Sequence, residues 1–167
     1  MDYNMTISDY KQHMSQFNPC QDGSLAFQNC RTRLEVFDLM LSPQGYDFFM
    51  KSIRDGWGPR VTDIEATFKN YINGQRISRY ENDGKVHYAQ MWVGDHKTAR
   101  IFRSTRRVLL VDFKGELHIE DWQFLEIVTA GDTDVAISSG PNSSVLAKSY
   151  GGKIRIDKGK LRIKQMN

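Results

Sequence analysis

The sequence predicts an α+β protein: an N-terminal bundle of short helices followed by a C-terminal β array, folded as a small β-solenoid or roll, with an antiparallel meander, sandwich or barrel as the alternative. Three observations predict it. First, from Val108 to Lys164 a unit of an aliphatic residue, a spacer and a second aliphatic or small residue recurs, as Val108-Leu109-Leu110, Leu117-His118-Ile119, Leu125-Glu126-Ile127, Val135-Ala136-Ile137, Val145-Leu146-Ala147, Ile154-Arg155-Ile156 and Leu161-Arg162-Ile163. Side chains alternate faces along a strand, so each unit sets two apolar teeth on one side and its spacer on the other. Second, Gly115, Gly131, Gly140, Gly151, Gly152 and Gly159 fall between units among Asp, Asn, Ser, Pro and Lys, the composition of turns. From Leu117 the first teeth step by 8, 10, 10, 9 and 7 residues. Taken singly this spacing suits a sandwich or barrel; taken in pairs it gives coils of about 18 residues, the period of a stacked solenoid. Third, everything before Gly74 carries helix-start signals instead.

In order along the chain, Thr6-Ile7-Ser8-Asp9 has the capping-box pattern, with Ile7, Tyr10 and Met14 on one face and a stop expected before Asn18-Pro19. A further turn of helix is expected over Ser24 to Cys30. Thr32-Arg33-Leu34-Glu35 is a second capping box over an apolar stripe of Leu34, Phe37 and Leu41. Ser42-Pro43 opens the next helix, whose Tyr46, Phe49, Met50 and Ile53 point inward before Gly56. Thr62-Asp63-Ile64-Glu65 reads as a third box, followed by Phe68, Tyr71 and Ile72. From Gln75 the period becomes two. Arg76 to Tyr80, Lys85 to Val93 and Thr98 to Arg103 read as strands, the first two joined by the hairpin signal Asn82-Asp83-Gly84. The chain thus divides into a helical cap subdomain, residues 1–73, and a β domain, residues 74–167.

Cys20-Gln21-Asp22-Gly23, Phe27, Thr32, Phe37, Leu41-Ser42-Pro43-Gln44-Gly45 and Asp55-Gly56 resemble the helical front end of small uncharacterised proteins from gut Bacteroidetes and their phages or mobile elements. That resemblance implies a repetitive β tail behind the helices and an origin in a phage or mobile element; it brings no activity and no site residues.

A chain of 167 residues, 40% apolar and 26% charged, can bury enough surface to fold without metal or disulfides. It has no 18-residue apolar run and no signal-peptide pattern, so no membrane association and a cytoplasmic setting are expected, the host cell or a virion if phage-encoded. Cys20 and Cys30 are expected to be reduced thiols, with a disulfide as the alternative.

Catalytic and metal signatures are missing. His13, His87, His96 and His118 have no ligand spacing, Ser149-Tyr150-Gly151-Gly152-Lys153 leads into a strand and so reads as a turn rather than a phosphate loop, and Glu120-Asp121 and Asp132/Asp134 read as solvated turn carboxylates. No cofactor, metal or catalytic residue is therefore assigned. Charge is segregated instead: Lys97 to Arg107 holds five cations and no acid, Asp112 to Asp134 seven acids against Lys114, and Lys148 onward seven cations.

This pattern predicts a non-catalytic binding or assembly protein; with the phage or mobile-element origin that the resemblance implies, it would be a virion component or an inhibitor of a host defence system. Its expected partner is another protein or a second copy of itself; the alternatives are a sequestered nucleotide or nucleic acid, or hydrolysis of an anionic substrate. The candidate site gathers Arg100, Arg103, Arg106 and Arg107 with Tyr88 and Trp92, since aromatics beside cations hold nucleotides and single strands. A bend at Ser104-Thr105 is expected to bring Arg106 or Arg107 beside Arg100. Lys153, Arg155, Lys160 and Arg162 form a secondary basic patch, which protection of an open sheet edge would equally explain. Among the teeth, Leu117, Ile119, Leu125, Ile127, Val135, Ile137, Ile154 and Ile156 are expected to be buried, with Glu126 and Arg155 exposed.

Overall fold

The computed structural model describes residues 6–16 and 21–167. Among these, five helices lead, α1 (Ile7–Ser15), α2 (Gln21–Asn29), α3 (Arg33–Leu41), α4 (Gly45–Arg54) and α5 (Val61–Phe68), so that the expected turn over 24–30 is a full helix. Eight strands follow: β1 (Ile77–Tyr80), β2 (Val86–Ala99), β3 (Thr105–Ile119), β4 (Phe124–Ala130), β5 (Asp134–Ser139), β6 (Ser144–Ser149), β7 (Lys153–Lys158) and β8 (Arg162–Gln165). Cys20 and the stop expected at Asn18-Pro19 lie outside the described residues, as do the side chains of Ile7, Tyr10, His13 and Met14.

The capping chemistry acts where the sequence places it, with one exception. Asp9 N donates to Thr6 Oγ1 (3.1 Å) and Thr6 N to Asp9 Oδ2 (2.9 Å), while Glu35 N donates to Thr32 Oγ1 (3.2 Å) and Thr32 N to Glu35 Oε2 (3.0 Å). Ser42 Oγ accepts from Gly45 N (2.7 Å) ahead of α4. Thr62, however, lies inside α5. The helix starts earlier because the Asp63 carboxylate reaches back to Arg60 N (3.3 Å) and Nε (3.0 Å).

The array is a β-solenoid of about four turns. After the antiparallel β1–β2 hairpin, every pairing is parallel: Arg107 opposes Glu126 and Phe124 opposes Ser144, a repeat of 19 and then 20 residues. Each coil contributes to two sheets. The first stacks β1, the front of β2, the front of β3, β4, β6 and β8; the second stacks the backs of β2 and β3 with β5 and β7. The two-at-a-time spacing of the teeth is therefore the coil.

Inside the solenoid, Val108, Leu117, Ile119, Leu125, Ile127, Val135, Ile137 and Ala147 are buried. Ile154 is only partly covered and Ile156 is 49% exposed, contrary to expectation, because their coil is the last complete one and only β8 lies beyond it. The second core lies outside the first sheet, where Phe37, Leu41, Phe49, Met50, Ile64 and Phe68 of the helices cover Met91, Leu109 and Val128. Those three form one column across β2, β3 and β4, and the same column continues as Lys148 and Lys164, turning from apolar to cationic along the stack.

Two further expectations are corrected. Arg100 to Arg103 is a corner rather than strand, closed by the Thr105 N–H donating to the Phe102 carbonyl (2.8 Å). Gly115 is no turn: it sits within β3 opposite Val135, where a Cβ would fall 1.8 Å from the His96 carbonyl oxygen. The corner in β3 is made by Asp112 in the left-handed region (φ 48°), its Oδ1 accepting from Asp132 N (2.8 Å). Gly131 makes room for that carboxylate, since a Cβ there would lie 1.9 Å from Oδ1.

Candidate anion-binding cleft

The beginnings of β2, β3 and β4 share one edge of the solenoid with the corners that feed them. A cleft of about 380 Å³ opens there, lined by Lys85, Val86, His87, Tyr88, Arg103, Ser104, Arg106, Trp122 and Phe124. The β1–β2 hairpin supplies the first four. In its turn, Asp83 accepts from Lys85 N (2.9 Å) and faces His87 Nε2 (2.7 Å); the backbone bond first, then the histidine, holds the Asp83 carboxyl below the usual carboxylate range.

The corner before β3 supplies Arg103 and Ser104. Beneath it the buried Gln90 accepts from Thr105 Oγ1 (2.9 Å) and donates to the Arg100 carbonyl (3.2 Å), and Gln123 Nε2 donates to the Phe102 carbonyl (3.2 Å). Two buried amides thus tie down a segment with no strand pairing of its own, satisfying groups that would be costly to leave unbonded. Arg106 follows on a bulge: Tyr88 opposes Thr105 but Ala89 opposes Arg107, so Arg106 is the extra residue and swings out of the ladder.

The rings are held open to solvent. Trp122 is 66% exposed and Phe124 58%, with Phe102 also exposed beside the corner. The Arg76 guanidinium lies 4.1 Å from the Tyr88 ring centre and 5.2 Å from that of Phe102, and its Nη1 donates to Ser104 Oγ (2.7 Å). Arg106 stands 5.7 Å from the Phe124 ring centre. Trp122 adopts φ 62°, a left-handed conformation that costs a bulky residue about 1–3 kcal/mol and clusters at ligand sites.

Three permanent cations and a histidine line the cleft, with no carboxylate among the lining residues. Asp121 sits at the corner, but its carboxylate accepts from Asn142 Nδ2 (2.8 Å) and N (2.7 Å), bonds that lower its pKa, while its carbonyl takes Arg103 Nη2 (3.4 Å). Among the described residues Lys85, Arg103 and Arg106 enter no salt bridge, and rings beside such cations can stack a base and hold a phosphate.

Of the residues expected from sequence, Tyr88, Arg103 and Arg106 meet here. The bend foreseen at Ser104-Thr105 is a turn at Arg103-Ser104 plus the bulge, and it aims Arg106 at the cleft that Arg103 lines; Arg100 is exposed outside the lining. Trp92 is buried inside the solenoid, its ring edge-on to His96. Arg107 is buried under the helices, where Nη1 donates to Glu81 (2.9 Å) and the Leu41 carbonyl (3.0 Å) and Nε to Glu126 (3.2 Å). Glu126, expected outside, is drawn into this cluster with Tyr46 and Lys148 because helices cover its face. Trp122 and Phe124 join the site without a sequence motif of their own; their one local signal is two aromatics at the turn into an apolar unit.

The secondary patch is not one patch. Lys153 and Arg155 belong to the second sheet, where Arg155 pairs with Asp134 (2.9 Å), whereas Arg162 lies on the first and Lys160 in the segment that leads into it. Among the described residues, no group of three or more His, Cys, Asp or Glu is gathered as a metal would require, and no helix is long and apolar enough to cross a membrane. Cys30 is a buried free thiol whose pKa burial raises.

Fold and site together define a helix-capped β-solenoid with a basic, aromatic cleft on one edge. No family model matches the chain, and neither a curated protein nor a solved structure is similar to it.

Proposed function

We propose that the protein is a non-catalytic binding protein and that its ligand is an anion bearing a flat ring, a nucleotide or nucleic acid, taken up in the edge cleft. The observation that carries this is the juxtaposition of Arg103, Arg106 and Lys85 with the solvent-facing rings of Trp122 and Phe124. A fold with no use for that ring would gain by replacing Trp122, since only glycine holds its backbone conformation without strain. Base stacking on such rings is worth about 1–3 kcal/mol each. In a phage or mobile element, for which the resemblance of the N-terminal segment speaks, such a protein would sequester a nucleotide or nucleic acid from a host defence system.

Titration with thymidine monophosphate and with a twelve-residue oligothymidylate, followed by tryptophan fluorescence and calorimetry, tests this. Saturable binding is expected, weakened at least tenfold by Arg103→Ala/Arg106→Ala and by Trp122→Gly, with Trp122→Gly as stable as the parent or more so. Binding indifferent to both variants would remove the proposal. One observation favours the rival reading of a hydrolase: the His87–Asp83 pair at the mouth of the cleft. Release of inorganic phosphate or shortened oligonucleotide, abolished by His87→Ala, would establish it.

A further inference from the structure

We infer that the ligand is a single strand of nucleic acid laid across the coils, running from the cleft to Lys160 and Arg162, rather than a free nucleotide. This rests on the reading of the cleft as a ring-and-phosphate site.

The register carries it. Phe124 opposes Ser144, and Leu146 opposes Arg162. Continued two residues back, the second register sets Lys160 across from Ser144. The same step back from Arg107 and Glu126 sets Thr105, next to the bulged Arg106, across from Phe124, so the edge runs from Thr105 through Phe124 and Ser144 to Lys160 in the segment that leads into β8. Neighbouring strands are about 4.8 Å apart, so Lys160 stands about 10 Å beyond Phe124. Between them Pro141, Asn142 and Ser144 are exposed and bring no bulky ring, and the Asp121 carboxylate that reaches this edge is tied up by Asn142.

The cleft alone already offers a ring and cations to one nucleotide, and cations two coils away add nothing to it. A strand stacking its bases on Trp122 and Phe124 would carry its following phosphates along this edge to Lys160 and Arg162. Among the described residues neither of these has an ion-pair partner, whereas Arg155 on the opposite sheet is paired with Asp134. Edge protection, the competing account of the basic tail, asks only for cations on the last strands and treats β7 and β8 alike. A binding track distinguishes them by face.

The probes are thymidine monophosphate and a labelled twelve-residue oligothymidylate, measured by calorimetry and fluorescence anisotropy over a salt series. The oligonucleotide is expected to bind at least a hundredfold tighter than the monophosphate. Lys160→Ala/Arg162→Ala should weaken oligonucleotide binding about tenfold and flatten the slope of log K against log salt by about 1.4, two phosphates at about 0.7 each, with monophosphate binding unchanged. Lys153→Ala/Arg155→Ala, the same loss of charge on the other sheet, should bind as the parent does. The inference falls if Lys160→Ala/Arg162→Ala leaves the oligonucleotide unaffected, or if both pairs weaken it equally. In either case an effect of Arg103→Ala/Arg106→Ala on the monophosphate would leave the cleft standing. Failure of both probes to bind the parent protein would remove the cleft as well.

Discussion

The two sheets of the solenoid are built from the same repeat and share one interior, yet their outer faces have opposite fates. On the first sheet the outward residues of the early coils are Met91, Leu109 and Val128, sealed under α3, α4 and α5. On the second, the outward Lys114, Glu116, His118, Asp134 and Arg155 meet solvent and one another, through pairs such as Lys114–Asp132 (2.8 Å) and Arg155–Asp134 (2.9 Å). The inner teeth make a coil; the spacers decide what the coil is attached to. Where the covered face still carries charge, at Arg107, Glu126 and Lys148, the groups are bonded to one another, to Tyr46 and to the Leu41 carbonyl, so charge latches the helices to the sheet. Tyr150 adds a bond to Asp47 of α4, and burial followed by that bond drives its hydroxyl far above the tyrosine range.

The sharpest way to break this contrast is to truncate an arginine on each face. Arg107→Ala leaves Glu81 and Glu126 under the helices without their shared cation and should cost about 3–5 kcal/mol in chemical denaturation. A loss under about 1 kcal/mol would mean that Arg107 is no part of the latch. Leu109→Ala, a spacer on the covered face, should cost about 2–5 kcal/mol, as a true core residue does. The comparable spacer His118 on the second sheet should tolerate alanine almost without effect.

Acid and base sharpen the contrast next. Burial pushes the Glu126 carboxyl up, but Lys148, Tyr46 and Arg107 overcome it and hold it below its ordinary range. Its contribution is thus present at neutral pH and lost as pH falls through the folded value. Asp47, also held low despite burial, acts in the same sense, while Asp38, raised by burial in spite of Arg79, opposes them. Burial likewise pulls Lys148 down, and Glu126 and Tyr46 carry it above the lysine range. Its contribution persists until pH rises through that raised value. Melting temperature should therefore fall toward both extremes, and Glu126→Gln should flatten the acid limb; an acid limb as steep in Glu126→Gln as in the parent would place the titrating groups elsewhere. The smallest effect is expected for Arg155→Ala, within about 0.5 kcal/mol, because exposed pairs contribute little.

The repeat was legible because strand periodicity is local: the teeth at Leu117, Ile119, Leu125, Ile127, Val135 and Ile137 are all interior. The spacers were not, since nothing near Glu126 in the chain announces that Tyr46 lies over it. Arg106 and Arg107 show the same limit most closely. They are neighbours in sequence, but a one-residue bulge sends the first into the cleft and leaves the second under the helices. Trp92 shows the limit too, as an aromatic in a strand has the same local pattern whether it faces a ligand or the inside of a coil. Half the cleft was visible as clustered cations and aromatics; Trp122 and Phe124 became part of it only when the parallel register brought the next coil alongside.

The stack also has a direction. Its first coil is closed by β1 and packed by α5, whereas β7 and β8 each pair with one strand, with Ile156 49% and Ile163 42% exposed. In such a one-dimensional array each coil is stabilised by its neighbours, so thermal opening should begin at one end and travel inward, as a rope frays. Amide exchange is then expected to be fastest in β8, slower in β6 and β7 and slowest in β3. The cleft lies at the quiet end, and Lys160 and Arg162 ride on the fraying one. A strand lying across both would act as a splint, and its signature would be protection gained in β8, two coils from the rings that hold it.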